Sequence, residues 1–136
     1  AKQGEVTLPD GGVLRHTPLK HPGGSNGFRV DWPEKSFAYI TDTTAGPDGV
    51  DADFIRGVDL LIHECNFADD MREWALKTGH SHLTPVLELA RDAEVDRLIL
   101  LHIDPQLGGD DPIGLVGLRD IFPRTVVAED GDAFEF

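Results

Sequence analysis

Cysteine is nearly absent from this chain: Cys65 is the single one in 136 residues, so no internal disulfide can form. A lone thiol fits a reducing compartment, and the expected location is cytoplasmic. Cations are also scarce, 12 Lys and Arg against 25 Asp and Glu, for a formal net charge of −13 with histidine neutral. That balance excludes broad, salt-driven attraction to phosphate backbones and leaves nucleic acid open only as a local contact. No apolar run reaches the roughly 18–20 residues of a membrane-spanning helix, and no charged-then-apolar leader is present. No membrane partner is expected. Methionine occurs once, at Met71, and the chain opens Ala1-Lys2-Gln3, which suggests a processed protein or a piece of a longer one. No repeat or low-complexity linker interrupts the sequence. Its length suits one domain, residues 1–136, able to bury a core without staples.

What is present has a clear order. The segments 11–21 (GGVLRHTPLKH), 27–32 (GFRVDW) and 36–42 (SFAYITD) read as strands, the first two separated by a glycine-rich turn. Residues 51–58 suggest a short helix with an acidic first turn. DLLIHEC (59–65) and DRLILLHID (96–104) are apolar runs of strand length, the pattern of strands covered on both faces. DDMREWALKTG (69–79) has helical spacing and stops at Gly79. LTPVLELARDAEV (83–95) is predicted as a helix with Thr84 at the N-cap, Pro85 at the first position, and Val86, Leu89, Ala90 and Ala93 on one face. A helix over 112–122 and closing strands at TVVAED and AFEF complete the list. Helices alternating with apolar strands from residue 51 onward indicate an α/β layer structure.

The polar residues share a placement. His21, Asp42, His63 with Glu64, and His102 each end a predicted strand, and His80 and His82 sit just before a helix start. Strand ends and the loops beyond them are where α/β proteins gather binding groups. Taken singly, each has a plainer explanation, such as a histidine bonded to a backbone carbonyl or an aspartate accepting turn amides. Taken together, imidazoles and a carboxylate on separate strand ends suit a catalytic site for zinc, manganese or iron. Other polar stretches have bland readings. DGVDADF lacks the spacing of a calcium loop, GGDDP (108–112) is a solvated turn and helix start, and GGSNG lacks the lysine of a phosphate-binding loop.

The ordered segments PLKHPGGSNGFRV, AYITDT, LLIHECNF, GHSHLTPVLELA and LILLHIDP resemble the second half of metallo-β-lactamase-fold hydrolases, most nearly the ribonuclease Z branch and its phosphodiesterase relatives. The resemblance covers about residues 14–136. It implies an α/β fold, the C-terminal half of an αββα sandwich: a mixed sheet with helices on its outer face. It further implies hydrolysis of a phosphodiester by a water that two divalent metal ions activate, zinc first among them, manganese or iron otherwise. His21 then matches a ligand of one ion, Asp42 the aspartate bridging both, and His102 a ligand of the second. His80 matches the histidine that contacts the scissile phosphate and assists the leaving group, and Glu64 an acid that orients a histidine. His82 receives no role, and His16 and Cys65 are assigned to surface or core packing.

One part of the pattern is missing. The HxHxDH signature that supplies most of each ion's ligands in this family does not occur in the 136 residues. His21, Asp42 and His102 alone would give each ion at most two protein ligands, where catalytic zinc sites keep three. The expectation is a chain that binds metal weakly and is inactive until completed, with an apolar inner sheet face that pairs with a missing N-terminal half or with a second copy. The contrasting expectation is a catalytically silent interaction domain that keeps the fold without a complete metal site.

Overall fold

A computed structural model describes residues 4–47, 49–50 and 52–136. Seven strands form one sheet whose spatial order is the order of the chain: β1 (Gly4–Thr7), β2 (Val13–Leu19), β3 (Ser25–Asp31), β4 (Ser36–Ile40), β5 (Leu60–Glu64), β6 (Arg97–Leu101) and β7 (Thr125–Val127). The first four pair antiparallel, as short turns permit; β4 to β7 pair parallel, which requires a crossover between each pair. The crossovers are α1 (Ala52–Ile55), then α2 (Arg72–Thr78) with α3 (Leu83–Asp92), then α4 (Leu115–Leu118).

The helices cover one face. Ala38, Leu61 and Leu98 stand in one register row and Ile40, His63 and Leu100 in the next. Except for His63 these residues pack with Leu83, Val86, Leu87 and Ala90 of α3 and with Ile55, Val58, Ile113 and Leu115 into the core. The period-two alternation of the strands and the 3.6-residue stripe of α3 thus meet at a common apolar layer. Gly27 lets the layer close at the edge of the antiparallel part, since a Cβ there would stand 2.8 Å from Ile40 Cδ1.

The opposite face carries Phe28, Tyr39, Ile62, Ile99 and Val126, a register row that runs across five strands. Phe28, Tyr39 and Val126 remain 37–41% exposed. The C-terminal tail crosses this face: Phe134 and Phe136 line a hollow with Phe37, Leu60, Ile62 and Ile99, and Phe136 meets Phe37 edge-on at 5.8 Å. AFEF is therefore not a strand. Its alternation serves to seat two phenylalanines on the sheet rather than to make a ladder.

Other expectations also shift. The β1 strand carried no signal, because it is a short, largely exposed edge with one large apolar residue, Val6. The helix expected over 112–122 is one α-turn, α4, followed by a 3-10 turn at Arg119–Ile121. Of the stretch 51–58 only Ala52–Ile55 is helical, and Asp51 lies outside the described residues. The α3 helix begins at Leu83, so Pro85 is its third residue, not its first, and Thr84 does not cap it. Asp69 does so from elsewhere in the chain: its carboxylate accepts from the Thr84 amide at 2.9 Å, the Thr84 hydroxyl, and His82 Nδ1 at 2.6 Å. The charged acceptor outcompetes the local hydroxyl, and it favours the positive end of the helix.

Two expected outcomes follow from this packing. Leu87→Ala, in the fully buried layer, should lower unfolding free energy by about 2–5 kcal/mol in urea titrations, with the fold retained. Burial pushes the Asp69 carboxyl up, but hydrogen bonds from Thr84 and His82 outweigh it and hold the group below its ordinary range. A depressed folded-state value stabilises above the unfolded value of about 3.9 and is lost as pH falls through the folded one. Asp69→Ala should therefore cost about 1 kcal/mol at pH 7, and its urea midpoint should converge on that of the parent as pH drops below about 4.

Candidate metal centre

The loops that leave β4, β5 and β6 at their carboxyl ends, and the turn between β2 and β3, open at the same end of the sheet. Asp42 lies two residues beyond β4, after a cis Thr41–Asp42 peptide. Ser25 Oγ donates to its carbonyl at 2.6 Å, and Thr41 Oγ1 donates to its Oδ1 at 2.7 Å. Burial would raise the Asp42 carboxyl, but the Thr41 hydroxyl and the neighbouring His102, His80 and His21 hold it below the usual range. Asp42 is an anion at neutral pH, aimed at three imidazoles.

His102 follows the last residue of β6 with φ +61, a conformation uncommon for a residue with a Cβ and often concentrated at functional sites. Asn66 Nδ2 fixes that turn by donating to the His102 carbonyl at 2.7 Å, and His102 Nδ1 sits 2.9 Å from Asp42 Oδ1. His80 follows Gly79, the left-handed C-cap of α2 at φ +79. A side chain at position 79 would strike Pro22 Cδ at 2.3 Å, so glycine alone lets the β2–β3 turn approach. Across that contact His21 Nδ1 donates to the Gly79 carbonyl at 3.0 Å. The rings of His21 and His80 stand 5.1 Å apart and those of His80 and His102 5.2 Å. Asp42, His80 and His102 each place a ligand atom within 4.8 Å of the others.

Glu64 lies beneath this cluster, fully buried. Its Oε1 accepts from the Thr43 amide at 2.9 Å and His80 Nδ1 at 2.9 Å, and its Oε2 from the Ser81 amide at 3.1 Å. A carboxylate and a carbonyl offer no proton, so Nδ1 carries the hydrogen in both His80 and His21, and each Nε2 is left as a lone-pair donor. Imidazole nitrogens pinned through Nδ1, together with an ionised carboxylate, are a donor set that suits zinc and its neighbours in the first transition row. On this chemistry the residues fit a divalent cation.

The geometric trio contains His80, which sequence reading set apart from the ligands, while His21 stands one ring further out. Ser81, Thr43 and Asn66 support the cluster and were missed. Their roles depend on backbone-to-side-chain bonds between segments distant in sequence, for which no spacing rule exists. The residual polar candidates lie elsewhere. His63 is fully buried on the helix face, donates Nδ1–H to the Glu64 carbonyl at 2.6 Å, and keeps an unpartnered Nε2. Burial, against the pull of the Glu64 carbonyl and carboxylate, holds it below the ordinary histidine range, so it stays neutral. His82 is turned to Asp69, His16 packs near Phe28 with ring centroids 6.5 Å apart, and Cys65 is buried, its thiol pushed up by that burial. Asp111 of GGDDP accepts from the Leu115 amide at 2.8 Å and the Val116 amide at 3.0 Å, and so caps α4. Two aspartates of DGVDADF, Asp48 and Asp51, lie outside the described residues.

Residues 1–103 match the model of the beta-lactamase superfamily domain. A ribonuclease Z of Gloeothece citriformis is 36% identical over 134 residues, covering 95% of this chain and 39% of the relative. One of Methanosarcina acetivorans is 38% identical over 99 residues, covering 72% of this chain and 32% of the relative. The chain thus spans well under half the length of these relatives. Among solved structures, the metallo-beta-lactamase fold protein YhfI of Bacillus subtilis superposes with TM-score 0.81 at 24% identity, over 97% of this chain and 52% of that one. The short form of human tRNase Z gives 0.73 at 21%, over 94% and 44%. Zn(2+)-bound PqqB of Methylobacterium extorquens gives 0.67 at 21%, over 100% and 51%. A mixed α/β sheet of this topology, a family match over most of the residues and these neighbours make the chain a member of the beta-lactamase superfamily, carrying part of the metallo-β-lactamase fold.

Proposed function

We propose that this chain is the C-terminal half of a metal-dependent hydrolase that cleaves a phosphodiester, in the manner of a ribonuclease Z or a cyclic nucleotide phosphodiesterase. The observation that carries the reading is the convergence of Asp42, His80 and His102 within 4.8 Å, from three separate segments of the chain. The ribonuclease Z relatives favour a phosphodiester substrate over other esters.

In this reading His21, Asp42 and His102 would hold two divalent cations through imidazole nitrogen and carboxylate oxygen. Bound cations supply Lewis acidity toward the phosphate and a water activated for attack at neutral pH. His80 is placed for the leaving oxygen. Its Nδ1 is tied to Glu64, which leaves Nε2 as the ring atom available toward the centre. Glu64 also fixes the ring's orientation, which a rotating imidazole could not keep. Remaining ligands come from a preceding half bearing HxHxDH. That half, or a second copy of this chain, covers the open part of the sheet's other face, Phe28, Tyr39 and Val126, because exposed apolar residues on one sheet face favour burial against a second sheet.

Zinc titration by calorimetry should show binding that Asp42→Ala weakens at least tenfold, while the thermal midpoint without metal changes little. Equal affinity in both would remove Asp42 from the site. In the chain joined to its N-terminal half, His80→Ala should lower kcat for a phosphodiester about 10²–10⁴-fold with metal content unchanged. A parallel loss of metal would make His80 a ligand instead. Light scattering at micromolar concentration should show a dimer of the isolated chain, and a clean monomer would count against the open face as a pairing surface.

A further inference from the structure

Ser81 uses every polar atom it has, at 1% exposure. Its hydroxyl donates to the Thr43 carbonyl at 2.8 Å and accepts from the Ala45 amide at 2.8 Å. Its amide donates to Glu64 Oε2, and its carbonyl accepts from the Asn66 and Phe67 amides at 3.1 and 3.2 Å. The partners belong to, or bond with, segments that carry the groups of the centre. Thr43 follows Asp42 and, through Oγ1, donates to the carbonyl of Lys20, the residue before His21, at 3.1 Å. Asn66 holds the His102 carbonyl, and His80 precedes Ser81 itself.

We infer that Ser81 is a positioning residue that sets the separation of Asp42 from His80 and His102, and thereby the affinity of the site for a divalent cation. The physical ground is connectivity. The Asp42 loop and the His80 loop are joined through the two bonds of one hydroxyl and through the Glu64 carboxylate they share. Removing the hydroxyl strands a buried amide and a buried carbonyl, which the Asp42 loop can satisfy only by moving toward water. A shift of that loop moves the carboxylate relative to the imidazoles, and a metal site tolerates little of that.

The inference rests on the metal-binding reading, and the two can fail separately. Cobalt(II) titration of the chain, followed by visible absorption, should show Ser81→Ala binding 10–100-fold more weakly than the parent. Ser81→Thr, which keeps the hydroxyl, should recover part of that loss. Leu87→Ala is the control: it lowers global stability but should leave cobalt affinity within about twofold, since Leu87 touches no group of the centre. Parent and Ser81→Ala binding cobalt equally would overturn the positioning role while leaving the metal reading intact. A parent that binds no cobalt overturns both. If Ser81→Ala does not fold, amide hydrogen exchange on the parent decides: the Ala45 amide should be protected alongside that of Ser81 and gain protection on adding cobalt, and exchange of Ala45 at an unprotected rate sinks the inference.

Discussion

A carboxylate with no access to water must be surrounded by donors, and Glu64 meets that demand with three, drawn from two loops. The Thr43 amide belongs to the loop after β4, and the Ser81 amide and His80 ring to the loop between α2 and α3. Leaving any of these unpaired in the interior costs about 1–3 kcal/mol, more for the charge itself, so the loops are obliged to stay where Glu64 holds them. Asp42 and His80 inherit their places from that obligation. The partly exposed cluster above is therefore built on a dry, fully bonded layer below, an arrangement that lets such a site keep a defined geometry.

The sheet supplies the other half of the constraint. Parallel pairing of β4, β5 and β6 brings three carboxyl ends to one edge in fixed register, so that residues separated by about twenty to forty positions in sequence open onto a common rim. The turn between β2 and β3 reaches the same rim because β3 runs antiparallel to β4. Helices lie on a single face of this sheet. The other face shows aromatic and aliphatic residues and receives the tail, whose two phenylalanines cover part of it. A molecule with one sheet face packed and the other largely open matches a chain that spans well under half the length of its ribonuclease Z relatives.

Strands β2 to β6 and helices α2 and α3 were legible in the sequence, because buried alternation and the 3.6-residue stripe are local patterns set by burial on a covered sheet. So were the positions of the candidate polar residues at strand ends, since a polar residue closing an apolar run marks where the core stops. Less was legible where burial was slight or the partner was remote. The edge strand β1 has little to alternate, and AFEF alternates for a purpose other than pairing. The cap of α3 was assigned to Thr84 because Ser and Thr cap helices locally, and only the fold could bring Asp69 near enough to displace it.

The residue types at the strand ends, the absence of HxHxDH and the acidic balance belonged to the sequence alone, because each is a property of composition or of short-range order. Which histidines face Asp42 and which face the core was decided by tertiary structure. His63 and His80 are equal as letters, yet parallel register turns one into the helix layer, and a glycine cap with Glu64 turns the other to the rim. The same holds for Ser81, whose five partners are scattered over the chain and become neighbours only when the loops close on a buried charge.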